Sequence, residues 1–174
     1  QPDLEPARVR TLLVILITAA FVVILNETVL SVALPDLMDE LDIPAPTAQW
    51  LTTGFMLTMA VVIPTTGFVL QRFAHRRVFM AAMVLFTLGT LLAMLAPGFP
   101  VLMVGRVIQA CGTALMLPLL MTTVLNVIPL SRRSRVTGLI SIVISVAPAS
   151  GPAVGGVILE HLSWRWLFFT VLPI

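Results

Sequence analysis

Two ionisable side chains stand where hydrocarbon is expected. Glu27 lies in the run Leu25-Asn26-Glu27-Thr28-Val29-Leu30, and Arg106 in Val104-Gly105-Arg106-Val107-Ile108-Gln109. A charge at the centre of a membrane helix costs about 2.5–3.5 kcal/mol on insertion scales, so each needs a physical reason to be there. Glu27 is seven residues before Leu34, the end of its apolar region, and Arg106 is five residues into its own. At helical rise these offsets are about 10 Å and about 8 Å. Opposite charges at one depth offset much of each other's cost if the first and fourth apolar segments touch. Two readings stand side by side. One is a static buried ion pair, or for Arg106 alone a stem that snorkels to the interface. The other is proton exchange. Desolvation favours the protonated carboxyl and a nearby arginine favours the ionised one, so a change in either loads or releases a proton. Gln109, three residues after Arg106, shares its helix face, and Asn26 precedes Glu27. Both are candidates for a polar cavity that binds substrate or fixes the charged pair. Ordinary interhelical hydrogen bonds account for them equally well.

The elements that hold these residues follow from composition. Apolar residues make up 59% of the 174 and charged residues 10%, with a mean hydropathy of +1.08. Soluble domains carry about 25% charged residues, so the expected solvent for this surface is lipid. A hydrocarbon core of about 30 Å takes roughly 20 helical residues. Five stretches qualify, at 11–33, 48–70, 78–96, 101–128 and 136–159. A sixth runs from 164 to 174, too short to cross, and reads as an incomplete span of a longer chain. The runs lack the alternation of a barrel strand, which leaves helices as the structure that satisfies the backbone in lipid. The expectation is an all-α, polytopic helix bundle over residues 11–174, preceded by an arm over residues 1–10. That arm starts without methionine and reads as trimmed, and the first apolar run is too long for a signal-peptide core.

Orientation follows from arginine, the only basic residue type apart from two histidines. Arg8 and Arg10 precede the first span. Arg72, Arg76 and Arg77 lie between the second and third, and Arg132, Arg133 and Arg135 between the fourth and fifth. The connections at the opposite end carry Asp36, Asp39, Glu40 and Asp42, then no charge, then Glu160 and Arg165. The positive-inside rule makes the N-terminus cytoplasmic.

The fifth span contains Ala147-Pro148-Ala149-Ser150-Gly151-Pro152-Ala153-Val154-Gly155-Gly156. Ala147, Gly151 and Gly155 recur every four residues and form a smooth ridge for close helix approach. Pro148 and Pro152 remove backbone hydrogen bonds and bend the helix. This is either a fixed, kinked packing seam or a moving one. Elsewhere, Cys111 has no disulfide partner, and His75 and His161 have no metal-ligand companions. No metal, cofactor or nucleophile–base constellation is expected, so the chain does not read as an enzyme. The arginine groups read as topology signals, not nucleic-acid patches.

These motifs resemble the major facilitator superfamily, and within it the fourteen-span drug–proton antiporter group. Residues 25–35 resemble that group's first-helix signature, in an Asn-Glu-Thr form similar to the lincomycin-resistance branch. Residues 67–77 resemble the loop motif between helices two and three, with Gly67, Arg72, Arg76 and Arg77 kept. Gln71 stands at its usual acidic position and Ala74 at its second glycine. The run from Arg106 to Gly112 is similar to the fourth-helix arginine motif. Gly151, Pro152, Gly155 and Gly156 resemble the antiporter motif of exporters, and Trp164-Arg165-Trp166-Leu167-Phe168 the opening of the sixth helix. The resemblance implies the N-terminal six-helix half of a transporter, built as two inverted three-helix repeats and lacking its C-terminal bundle. It implies a bacterial inner-membrane location and proton-driven export of amphipathic, drug-like compounds, with Glu27 as proton carrier and Arg106 as its counter-charge. In that frame the fifth-helix seam is expected to pack against the missing half. An importer on the same scaffold and a non-transporting scaffold subunit are the alternatives.

Overall fold

The computed structural model describes residues 6–172, with side chains from Val9 onward. The expected arm, with Arg8, lies outside the described side chains apart from Val9 and Arg10. The last two residues of the sixth span lie outside the described residues as well. Six helices follow one another: α1 (Pro6–Leu41), α2 (Ala45–Arg72), α3 (His75–Met94), α4 (Phe99–Val127), α5 (Leu130–His161) and α6 (Arg165–Phe169). Among the described residues, α1 to α5 are long and apolar enough to cross a membrane.

The helices outrun the apolar stretches. α1 has 36 residues, about 54 Å at helical rise and well beyond a hydrocarbon core of about 30 Å. It continues through Pro35 and carries Asp36, Asp39 and Glu40 on its last turns. Packing overrides the lost proline hydrogen bond there, because Ala33 and Leu37 on either side are fully buried against the other helices. Asp42 then turns the chain with φ 49°, a left-handed conformation that aspartate tolerates better than most residues. At the opposite end only Phe73 and Ala74 separate α2 from α3. Arg72, Arg76 and Arg77 therefore sit on exposed helix ends. The same holds for Arg132 and Arg135, in the first turns of α5 beside the half-buried Arg133. Arg133 also has a local task. Its Nε donates to the Ile128 carbonyl at 2.9 Å and its Nη2 to the Leu125 carbonyl at 2.6 Å. It thereby satisfies acceptors that the end of α4 leaves open and places a positive charge on that helix's negative pole.

The packing has an internal symmetry. α4 lies between α2 and α3 in the broadest contacts, and α1 packs broadly along α5. Exchanging α1 with α4, α2 with α5 and α3 with α6 maps the packed pairs of the described residues onto one another, with α1–α4 and α3–α6 mapping onto themselves. The α1–α5 contact becomes α4–α2, and α3–α4 becomes α6–α1. Helices one and four run in opposite directions, so the pairing pattern is that of two inverted triplets, the second with only a short α6.

Two apolar layers close the bundle. Near the arginine-rich end, Leu16, Val23, Phe86, Met116, Leu120 and Ile140 pack together. Near the acidic end, Leu30, Leu37, Leu51, Leu102, Trp164 and Phe168 do the same.

Candidate functional site

Between the two apolar layers every central helix passes through a polar one. On α1, Asn26 and Glu27 fall between Val23 and Val29. On α3, Thr90 falls between Phe86 and Ala93. On α4, Arg106, Gln109 and Thr113 fall between Leu102 and Leu115. Asn26, Thr90, Arg106, Gln109 and Thr113 are all buried. A polar group this deep costs free energy unless it is hydrogen-bonded, and most of these are.

Arg106, 1% exposed, is held by its own helix and by two neighbours. Its Nη1 donates to Gln109 Oε1 at 2.6 Å. Gln109 Nε2 donates to Thr90 Oγ1 on α3 at 2.8 Å, and Thr90 Oγ1 donates to the Phe86 carbonyl at 2.7 Å. The chain Arg106–Gln109–Thr90–Phe86 thus fixes the glutamine amide with its oxygen towards the guanidinium. From α2, the fully buried Phe55 presents its ring 4.0 Å from the guanidinium carbon. A cation over an aromatic face is stabilised by about 2 kcal/mol or more when desolvated. The buried Nε is left without a hydrogen bond.

The α3–α4 seam makes this register possible. A Cβ on Gly89 would stand 2.5 Å from the Gln109 nitrogen and 2.6 Å from the Gly105 carbonyl. One on Gly112 would stand 2.5 Å from the Ala82 carbonyl. The two backbones touch, which brings Thr90 within reach of a glutamine side chain.

Glu27 is half-buried on α1 and interacts with Arg106 through space. The two do not form an ion pair within 4.0 Å. Asn26 is buried with its Nδ2 unpartnered. The structure therefore brings the four sequence-derived polar residues into one layer, and assigns Arg106 to Gln109 and Phe55 rather than to contact with Glu27. Phe55 and Thr90 carried no sequence signal, since a phenylalanine and a threonine inside apolar spans are ordinary. Their roles arise only from helix packing.

Of the fifth-helix motif, Ala147, Gly151 and Gly155 are buried, while Pro148, Pro152 and Gly156 are exposed. A Cβ on Gly151 would collide with the Thr28 side chain, and one on Gly155 would lie 3.4 Å from Val29 Cγ1. The ridge thus packs on α1 within this bundle. That corrects the expectation that it packs against a second half, and the reason is steric: α1 already fills it. The exposed Pro148, Pro152 and Gly156 side is the part that remains open. Of the second-helix motif, Gly67 is exposed, and a Cβ added to it would meet no atom within 4 Å. The arginines of that motif form a separate group at the helix ends. His75, at the start of α3, has Nε2 3.5 Å from Asn126 Nδ2, and His161 ends α5. Among the described residues no group of three or more metal-ligating side chains gathers.

A second cluster lies at the acidic end. Trp164 Nε1 donates to Glu40 Oε2 at 2.7 Å, and Arg165 pairs with the other carboxylate oxygen. The Arg165 guanidinium carbon also lies 4.4 Å from the Trp164 ring centroid, and its Nη2 reaches the Ala96 carbonyl at 3.4 Å. This clasp joins the end of α1, the connection after α3 and the start of α6. Glu40 and Arg165 are 125 residues apart in sequence, which is why spacing did not link them.

Five membrane-length helices and the short α6, paired as two inverted triplets, with a buried cation and a half-buried acid in one interior layer, define a polytopic membrane protein of transporter architecture. The chain belongs to the Major Facilitator Superfamily, which matches residues 16–174. It is 46% identical over 159 residues to the uncharacterized MFS-type transporter YcnB of Bacillus subtilis, covering 91% of this chain and 34% of that protein. It is 43% identical over 166 residues to the lincomycin resistance protein LmrB of the same organism, covering 95% and 35%. The lincomycin resistance protein LmrB of Listeria monocytogenes is 44% identical over 155 residues, covering 89% and 33%. The chain spans about a third of the length of these relatives. It is a multi-pass membrane protein of a transporter family, and the three relatives just named are bacterial.

Proposed function

We propose that this chain is the N-terminal half of a proton-coupled exporter of amphipathic, drug-like compounds, with its N-terminus in the cytoplasm. The observation that carries the reading is Glu27, a half-buried acid in the polar layer that feels Arg106 without pairing to it. An acid locked in an ion pair keeps its charge throughout a cycle. An acid near, but not bonded to, a fixed cation changes its proton affinity with each change of distance or water access. In this scheme Glu27 carries the proton, Arg106 sets its affinity, and Asn26 and Gln109 lend polar contacts to the cavity. The bilayer surrounds the bundle, and a C-terminal helix bundle completes the translocation path. The exposed arginines on the ends of α2, α3 and α5 support the cytoplasmic assignment, and the relatives named for lincomycin resistance support export of a drug.

Glu27→Gln in the full-length protein is expected to abolish lincomycin-stimulated proton movement in proteoliposomes while leaving folding and drug binding intact. Proton movement equal to that of the unmodified protein overturns the coupling role. Drug accumulation into right-side-out vesicles, instead of extrusion, overturns the direction.

A further inference from the structure

We infer that Thr90 and Phe55 are positioning residues that hold the Arg106 guanidinium back from Glu27, and so set the pH at which Glu27 binds its proton. The inference rests on the proton-coupling reading above and adds the device that tunes it. Three observations converge. Gln109 occupies Arg106 Nη1 at 2.6 Å, and its amide is oriented by Thr90 at 2.8 Å. Phe55 draws the guanidinium plane towards α2, 4.0 Å from its ring. Arg106 Nε stays unbonded although it is buried, and Glu27 lies within Coulombic reach but outside ion-pair contact.

The glutamine is a neutral stand-in for a carboxylate. It satisfies one arm of the fork and leaves Glu27 free of a direct bond. Without Thr90 the amide loses the hydrogen bond that fixes its direction, and its hold on Arg106 loosens. Without the Phe55 ring the guanidinium loses its attraction to α2. In either case the cation gains freedom to approach Glu27, and a closer cation favours the ionised carboxyl. Among the described residues no other fixed charge competes at this level. Of the helices packed on α1, α4 brings Arg106 and the thiol Cys111. α5 brings Arg132, Arg133 and Arg135 in its first turns and Glu160 and His161 in its last. α2 brings Arg72 at its end, and α6 brings Arg165 at its start. On α1 itself, Arg10 and the residues 36–40 sit near the two ends.

The test uses the full-length protein and a readout that needs no substrate. The carbonyl stretch of protonated Glu27 is followed by infrared difference spectroscopy across pH and assigned by its loss in Glu27→Gln. Thr90→Val and Phe55→Leu are expected to lower the midpoint of this band by about one pH unit, a tenfold loss of proton affinity. Thr90→Ser and Phe55→Tyr, which keep the hydroxyl and the ring, are expected to leave it in place. A purely structural role would lower yield or melting temperature without moving the midpoint. A midpoint that stays put, or rises, in both Thr90→Val and Phe55→Leu overturns the inference. Two variants on different helices keep the test open if one fails to fold. The two readings separate cleanly. A shifted band with normal coupling in Glu27→Gln overturns coupling and leaves the positioning intact, while an unshifted band with coupling lost in Glu27→Gln does the reverse.

Discussion

Arg106→Ala is expected to abolish both the folded yield and the transport activity of the full-length protein. The substitution removes a fully buried side chain from a layer it organises. Gln109 Oε1 loses its donor, and an orphaned buried acceptor costs about 1–3 kcal/mol. The Phe55 ring loses the group it packs on, and a large-to-small change in a core costs about 2–5 kcal/mol through the cavity it leaves. Glu27 loses its counter-charge. Together these consume most of the margin of a typical protein. Arg106→Lys separates the parts. An ammonium keeps the charge near Glu27 but cannot form the planar contact with Phe55 or the forked geometry. Its folded yield in detergent is expected to fall between those of Arg106→Ala and the unmodified protein. An Arg106→Ala variant that melts and transports normally would show that the polar layer does not depend on its cation.

Gly89→Leu is expected to be as severe, for a reason unrelated to charge. The new Cβ would stand 2.5 Å from the Gln109 nitrogen and 2.8 Å from its Cα. These are backbone atoms of a helix, and they cannot turn aside as a flexible side chain would. Overpacking costs about 1–3 kcal/mol where neighbours can relax and more where they cannot. Here the strain falls on the residue that orients Arg106, so stability and function are expected to fail together. Even Gly89→Ala should lower the melting temperature. Gly67→Ala and Gly156→Ala are the controls, because a Cβ at either position meets nothing within 4 Å. Both are expected to melt at or above the temperature of the unmodified protein, since alanine is the better helix former by about 1 kcal/mol. A Gly89→Leu protein as stable as these controls would mean that the α3 and α4 backbones are not in contact at Gly89.

Much of the architecture was legible in the chain because lipid imposes a simple rule. Each of the five long apolar runs became one long helix, and the short sixth became the five-residue α6. Helix ends were less legible. Asp36, Asp39 and Glu40 read as a loop because they are polar, yet they complete α1, since the helix continues past the apolar stretch. The arginines at 132, 133 and 135 belong to α5 for the same reason. The polar layer was half legible. Spacing put Glu27 and Arg106 at one depth, and the structure keeps them within electrostatic reach. It could not reveal that Gln109 and Phe55 take up the guanidinium, because that depends on which faces of α2, α3 and α4 meet. The same limit applies to the glycines. The four-residue rhythm of Ala147, Gly151 and Gly155 announces a seam on one helix. The tighter α3–α4 seam is divided between Gly89 on one helix and Gly105 and Gly112 on the other, and no single-helix rhythm displays it.

The clasp at the acidic end has an optical consequence. Of the three tryptophans, Trp50 and Trp166 are 54% and 43% exposed, whereas Trp164 is 1% exposed, bonded to Glu40 and stacked under Arg165. Its indole is therefore a native fluorophore placed at the joint between the first and last helices. In a full-length protein with every other tryptophan replaced by phenylalanine, emission from Trp164 should be blue-shifted while the joint is closed. It should move to the red, and become open to aqueous quenchers, only when α1 and α6 part at that end. A steady blue emission through the transport cycle would mean that the two inverted triplets travel as one block.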